Sequence, residues 1–227
     1  MVMTAPIAFE GVPLGLHEGP PLSLAIAPRQ TVALLSGDAG GVGPLGGYVL
    51  GLERPPAGRV TVFGTAIADL PARERLAFRR RVGYLPAGDG LIQNLSLRDN
   101  VALPLRFGST ASPREIDGRV SVILAAVRLR DAADQRPAQV TDEERRRAAF
   151  ARALAFDPTA LVLERPFDGL TARVAAELLE LARGGETAEG ARRTVLITGS
   201  ELPAIVQHRV DQVYRLARNG ALQLEPA

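Results

Sequence analysis

The chain of 227 residues is 46% hydrophobic and has a formal net charge of +2, which predicts one domain with an ample apolar core and gives no reason to expect a nucleic-acid partner. It contains no cysteine and only two histidines, His17 and His208, which excludes disulfides and thiolate metal sites and argues against any metal cluster. No run approaches the roughly 18 apolar residues that cross a bilayer, and the first residues lack the basic start and apolar core of a secretory signal, so we expect a cytoplasmic protein.

Short apolar runs predict strands, and runs with helical spacing predict helices. In chain order, strands are predicted at Thr31–Ser36, Arg59–Phe63, Val82–Leu85, Ala160–Leu163 and Thr194–Thr198, followed by a hairpin of Val210–Leu216 and Ala221–Leu224. Helices are predicted at Arg73–Arg81, Ser112–Val127, Asp142–Phe156 and Ala172–Ala182, and from about Leu202 onward. Apolar strands that alternate with amphipathic helices predict an α/β fold with a mostly parallel sheet.

A glycine-rich loop follows the first of these strands. It consists of Gly37, Asp38, Ala39, Gly40, Gly41, Val42, Gly43, Pro44 and Leu45. Phosphate loops of nucleotide-binding proteins have the pattern Gly-x-x-x-x-Gly-Lys-Ser/Thr, which brings backbone N–H groups, an ammonium and a magnesium-binding hydroxyl together. With Gly37 as the first glycine, Gly43 stands in place of the lysine and Pro44 in place of the hydroxyl. The chain has no lysine anywhere, so no other ammonium replaces it.

Two other interpretations of this loop stay open. It is a plain glycine-rich turn, or it belongs to a dinucleotide-binding oxidoreductase, because residues 41–46 match Gly-x-Gly-x-x-Gly after a strand. The second interpretation lacks the ribose-binding acid expected about 20 residues later, since the next strand runs into Phe63 and Gly64.

Five segments, in order over residues 7–225, resemble the ATPase subunit of ATP-binding-cassette (ABC) transporters. The segments are residues 32–50, Val82–Leu105, Arg145–Leu154, Asp157–Pro158 and Leu161–Leu170. The resemblance implies a phosphate-loop NTPase core with a mostly parallel sheet, an N-terminal antiparallel β subdomain and a helical subdomain. It also implies a single domain over 1–227, with the helical subdomain inserted at about 88–145. Within the family, the chain looks similar to the ATPases of Mla/Mce-type lipid transporters.

Carried over position by position, the residues for ATP hydrolysis are missing. Where the family has Asp-Glu after its second nucleotide strand, to hold Mg²⁺ and to polarise water, this chain has Glu164 and Arg165. Glu164 retains a carboxylate for weak metal binding, but the guanidinium of Arg165 stays protonated and cannot act as a general base. The family's histidine, glutamine and loop aspartate correspond to Gly199, Ala87 (or Gln93 in a shifted register) and Thr171.

The family's signature Leu-Ser-Gly-Gly-Gln corresponds to Val140, Thr141, Asp142, Glu143 and Glu144. In the family this segment crosses a dimer interface and binds the γ-phosphate of the partner's ATP. Three carboxylates would repel those phosphates. The local alternative is that Thr141 caps the next helix, with the carboxylates in its first turn.

The resemblance therefore implies a pseudo-ATPase with a structural or regulatory role in a membrane transport complex. We expect no cofactor; the alternative is a divergent ATPase that energises transport and binds ATP and Mg²⁺ weakly through Gly37–Gly43 and Glu164. The expected partners are an ABC permease, docked near residues 83–107, and a second copy or an active ATPase as dimer partner. The location implied is the inner face of the cell membrane, reached through the permease.

Overall fold

The computed structural model describes residues 4–14, 19–37, 42–185, 192–217 and 219–225 of the chain. The strands are β1 (Ile7–Val12), β2 (Leu22–Ile26), β3 (Thr31–Ser36), β4 (Arg59–Val62), β5 (Val82–Leu85), β6 (Ala160–Glu164), β7 (Thr194–Gly199), β8 (Gln212–Leu216) and β9 (Leu222–Glu225). The α-helices are α1 (Leu45–Val49), α2 (Ala72–Arg79), α3 (Leu97–Gly108), α4 (Pro113–Ala126), α5 (Asp142–Ala153), α6 (Ala172–Arg183) and α7 (Ala204–Gln207).

The strands of the described residues form two sheets. The larger has the order β5-β6-β7-β3-β8-β9, with parallel pairing from β5 to β8 and one antiparallel strand, β9, at its edge. The smaller is antiparallel, in the order β2-β1-β4. The predicted α/β fold with a mostly parallel sheet and an N-terminal antiparallel β part is confirmed.

The core lies on both faces of the larger sheet. Successive residues of a strand point to opposite faces, so in β3 Ala33 and Leu35 pack into one apolar cluster while Val32 and Leu34 pack into the other. The first cluster also takes up apolar side chains of α3, α4, α5 and α6, and the second takes up those of α1 and the antiparallel sheet. Strands covered on both faces read as continuous apolar runs, which is why β3 and β6 were predictable.

Helix ends follow local backbone chemistry. Helix α4 begins at Pro113 behind a capping box of Ser112 and Glu115, as the sequence predicts. Helix α7 begins at Ala204 rather than Leu202, because Pro203 has the extended backbone of a residue before a helix. Helix α5 ends at Ala153, three residues earlier than predicted, and Asp157 has a positive φ of 51°. Within the described residues, none of the helices combines the length and apolarity needed to cross a bilayer.

Candidate functional site

A pocket of about 310 Å³ opens at the carboxyl ends of β3, β6 and β7. Of the residues singled out from the sequence, it is lined by Gly37, Val42, Gly43, Ala87, Glu164, Arg165 and Gly199. Ser36, Thr198 and Ser200 also line it, and sequence reasoning did not select them. Asp38, Ala39, Gly40 and Gly41 lie outside the described residues, as does His17.

The rest of the glycine loop turns into helix α1. Pro44 has helical backbone angles immediately before α1, and its carbonyl accepts a hydrogen bond from Tyr48 N at 3.1 Å. Leu45 is fully buried, in the apolar cluster beside the antiparallel sheet. Leu45 therefore belongs to the core rather than to the pocket wall, unlike Gly43.

The carboxylate of Glu164 is held by the protein. Its Oε2 accepts a hydrogen bond from Ala87 N at 3.2 Å, and the Tyr84 hydroxyl donates to the same carboxylate. Burial raises the pKa of Glu164 above its usual range, while the bonds from Tyr84 and Ala87 and the charge of Arg146 oppose that rise. Burial and the charge of Glu164 in turn raise the pKa of Tyr84, so the phenol stays a donor.

Helix α1 approaches this carboxylate through a glycine. A Cβ atom at Gly46 would lie 2.3 Å from Glu164 Oε1 and 2.8 Å from Tyr84 Cε2, closer than such contacts occur. Only glycine leaves room here. Glycine is unfavourable within a helix, and the packing against Glu164 and Tyr84 explains its presence here.

Arg165 lines the pocket and pairs with a neighbouring acid. Its guanidinium pairs with Asp168, with Nη2 2.5 Å and Nε 2.7 Å from Oδ2, and both side chains are about half exposed. Its backbone has a positive φ of 46°, and its N–H donates to Thr198 O at 2.6 Å. Gly199 lies opposite: a Cβ atom there would be no nearer than 3.8 Å to Arg165 Cα. The Arg-Asp pair, spaced by three residues, is the signal in the sequence that could have found Asp168.

A buried arginine of α5 joins the two segments that carry Ala87 and Glu164. The guanidinium of Arg146 donates to backbone carbonyls of residues 86–88 and 164–166. Sequence reasoning assigned Arg146 no role, because its acceptors are backbone atoms that leave no mark in the sequence. Gln93, the alternative to Ala87, binds the carbonyl of Leu91 instead.

The segment 140–144 starts helix α5 and does not line the pocket of its own chain. Thr141 Oγ1 accepts from Glu144 N at 3.2 Å, and Glu144 Oε2 accepts from Thr141 N at 2.8 Å. Asp142 pairs with Arg145, and Glu143 pairs with Arg147 at 2.9 Å. The local alternative, a capped helix with carboxylates in its first turn, describes this segment. Thr171 likewise caps α6, accepting from Val174 N at 3.4 Å.

A groove of about 500 Å³ lies on the other side of Tyr84. Helix α2 contributes Leu76 and Arg79 to it, and Arg80 follows directly after that helix. Helix α3 contributes Pro104 and Phe107, and Arg152 and Phe156 also line the groove. Phe107 is 85% exposed and Leu76 62% exposed. The groove is therefore apolar, with arginines at its rim. Among the described residues, no group of three or more His, Cys, Asp or Glu side chains is placed to hold a metal ion.

A protein-family model described as "ABC transporter" matches residues 21–168. A methionine import ATP-binding protein of Pseudomonas aeruginosa is 32% identical over 85% of this chain and 57% of the relative. A sulfate/thiosulfate import ATP-binding protein of Escherichia coli is 35% identical over 69% of this chain and 42% of the relative. The chain thus spans about half the length of these curated relatives.

Solved structures resemble the chain in fold. A dimeric ATP-binding cassette bound to ADP and phosphate superimposes with a TM-score of 0.83, at 22% identity, over 96% of this chain and 97% of that one. The protein cbiO1 of Clostridium perfringens, part of the ABC transporter complex cbiONQ, gives a TM-score of 0.78 at 19% identity, over 97% of this chain and 88% of that one.

Proposed function

This chain belongs to the ABC transporter ATP-binding family, and we propose that within this family it is a pseudo-ATPase, with a structural or regulatory role in a membrane transport complex. The observation that carries the proposal is the end of β6. Arg165 occupies the place where the family's general base would stand, and its guanidinium is paired with Asp168. A permanently protonated side chain cannot activate water.

The glycine loop supports the same proposal. An ammonium on a phosphate contributes about 4 kcal/mol of Coulomb attraction at an effective dielectric constant of about 20, and Gly43 offers none. Pro44 has no hydroxyl for Mg²⁺ and no N–H for phosphate. The pocket wall also carries the Glu164 carboxylate, which would repel phosphate while it is ionised and which already accepts bonds from Tyr84 and Ala87. These residues do not fit Mg-ATP.

The second candidate is a divergent ATPase that binds nucleotide and energises transport. The names of the relatives favour it, since they are import ATP-binding proteins. Its remaining means of binding would be backbone N–H groups of the glycine loop, with Glu164 as a weak metal ligand. The dinucleotide alternative gains no support, because β4 ends at Val62 without an acidic residue.

We propose that the partner is an ABC permease, seated in the groove between α2 and α3, which includes part of the predicted surface at 83–107. Exposed Phe107 and Leu76 fit an apolar side chain of the partner, while exposed Arg80 fits an acidic residue beside it. The chain would then lie at the inner face of the membrane, paired with a second copy or with an active ATPase. The lipid-transporter branch stays a prediction from the sequence.

The deciding experiment is a calorimetric titration with Mg-ATP into the millimolar range, with phosphate release measured in parallel. We expect neither binding heat nor phosphate release above buffer. Micromolar binding would contradict the loss of nucleotide binding, and turnover by the chain would contradict the whole proposal.

A matched pair of variants locates the defect. Gly43→Lys with Pro44→Ser is expected to stay without turnover, because Arg165 and Gly199 remain. The same pair combined with Arg165→Glu and Gly199→His restores four positions, and we expect this variant also to stay without turnover, because Glu164 keeps its bonds to Tyr84 and Ala87. Turnover in the double variant alone would show that the end of β6 is not the obstacle.

A further inference from the structure

The loop after β5, residues 86–90, lies between the pocket and the groove described above. We call it the connecting loop. Ala87 lines the pocket beside Glu164, while Tyr84, just before the loop, and Arg152, which binds it, line the groove. Two structural links therefore join the pocket to the groove: the connecting loop, and the bond from the Tyr84 hydroxyl to Glu164.

Arg146 ties the connecting loop to the end of β6. Its Nη1 lies 3.1–3.3 Å from the carbonyl oxygens of residues 86–88. Its Nη2 donates to Glu164 O at 2.8 Å and also to Arg165 O, and its Nε donates to Pro166 O at 3.1 Å. One guanidinium thus bonds six backbone carbonyls from two separate segments.

The remainder of the connecting loop is held from the same helix. Arg145 Nε lies 3.4 Å from Asp89 Oδ2, and Arg152 donates to Asp89 O at 3.0 Å and to Gly90 O at 2.6 Å. On the opposite side, Ala87 N donates to Glu164 Oε2 at 3.2 Å. Each residue of the connecting loop therefore accepts a hydrogen bond or an ion pair from α5.

The burial of Arg146 makes this arrangement hard to leave. The residue is 7% exposed, and among the described residues no carboxylate lies within ion-pair distance of it. Six backbone carbonyls bind its guanidinium and the more distant charges of Asp168, Asp89 and Glu164 act on it as well. A buried guanidinium without its hydrogen-bond partners is strongly unfavourable. The connecting loop cannot move away from residues 164–166 without breaking those hydrogen bonds.

We propose that Arg146 is a lock: it holds the wall of the pocket and the wall of the groove in one arrangement, whether or not nucleotide is present. One consequence rests on the proposed function: a permease would bind to a groove that is already formed before it docks. The lock itself is a property of this chain alone. It is testable without a partner.

The chain contains no cysteine, so one introduced cysteine can carry a spin label at a single defined position. Gly88 is exposed, and a Cβ atom there would meet nothing within 4 Å, so Gly88→Cys carries a nitroxide without crowding. We expect a slow-motion electron paramagnetic resonance spectrum that millimolar Mg-ATP leaves unchanged. With Arg146→Met added, we expect the label's rotational correlation time to shorten roughly threefold or more.

Arg147→Met is the matched control. Arg147 is the next residue of α5 and is equally buried, but it pairs with Glu143 and Glu177 instead of the connecting loop. We expect its spectrum to match that of the labelled parent. If Arg146→Met does not fold, Arg146→Lys replaces it, because one ammonium cannot reach both sets of carbonyls, and mobilisation is again expected.

Equal spectra in the two arginine variants would overturn the lock, and so would mobilisation of the parent's label by Mg-ATP. ATP hydrolysis by the labelled parent with an unchanged spectrum would overturn the proposed function and support the lock. The two inferences therefore fail separately.

Discussion

The packing of α1 against Glu164 leads to opposite predictions for two adjacent glycines. A Cβ atom at Gly46 would lie 2.3 Å from Glu164 Oε1 and 2.8 Å from Tyr84 Cε2. A Cβ atom at Gly47 would have Glu53 as its nearest neighbour, at 3.5 Å, which is ordinary van der Waals contact. Alanine is thus obstructed at the first position and accommodated at the second.

The magnitude follows from two opposing terms. Helix propensity favours alanine over glycine by about 1 kcal/mol at either position. At Gly46 the methyl group also displaces a buried carboxylate that accepts bonds from Ala87 and Tyr84, and overpacking of this kind costs about 1–3 kcal/mol. We expect a net loss of up to about 2 kcal/mol for Gly46→Ala and a net gain of about 0.5–1 kcal/mol for Gly47→Ala.

Urea unfolding followed by circular dichroism measures the free energy of unfolding of both variants. The comparison requires that the slope of this free energy against urea concentration is the same for each variant. Combining Gly46→Ala with Glu164→Ala should remove most of the penalty, because the displaced carboxylate is then gone. Equal stability of the two glycine variants, or an unchanged penalty without the carboxylate, would refute the contact between α1 and Glu164.

Two further predictions concern the Glu164 carboxylate and the N-terminal cap of α5. Because burial raises the pKa of Glu164, the native state binds its proton more tightly than the unfolded state does, and stability falls as pH rises through the window from the usual carboxyl range to the raised value. Glu164→Gln keeps an acceptor for Ala87 and should unfold at higher urea than the parent at neutral pH; a lower midpoint contradicts this. Thr141→Ala removes the cap of α5 and should cost about 1 kcal/mol by the same assay, whereas Asp142→Asn, at an exposed ion pair, should change stability by less than about 0.5 kcal/mol.

The sequence predicted those parts of the fold whose cause is local. Strands β3, β6 and β7 were placed to within one residue, because strands covered on both faces are continuous apolar runs. The start of α4 followed from Ser112, Pro113 and Glu115, which are neighbours in the chain. Strand β4 ends one residue before the predicted Phe63, because Phe63 has a positive φ of 49°. An aromatic residue type does not predict that conformation.

The contacts of the site depend on residues far apart in the chain. Tyr84 and Glu164 meet because β5 pairs in parallel with β6, with Tyr84 opposite Val162, and only this register brings the phenol to the carboxylate. The six acceptors of Arg146 are main-chain oxygens, which every residue type has. The residue types at those positions therefore give no sign in the sequence that Arg146 binds there. The run Arg145–Arg147 resembles an ordinary charged helix face, yet the structure buries Arg146 and Arg147.

The acid that remains at the site has become part of its framework. Glu164 binds the connecting loop through Ala87, binds β5 through Tyr84 and abuts α1 at Gly46, so three elements converge on it without any ligand. A lysine restored at position 43 would meet this carboxylate as its nearest opposite charge in the pocket wall. Phosphate would then compete with Glu164 for the new ammonium, while Glu164 would have to leave two hydrogen bonds to reach a metal. If the chain is the pseudo-ATPase that we propose, we expect ATP hydrolysis to require repacking of α1 and the connecting loop in addition to the motif residues.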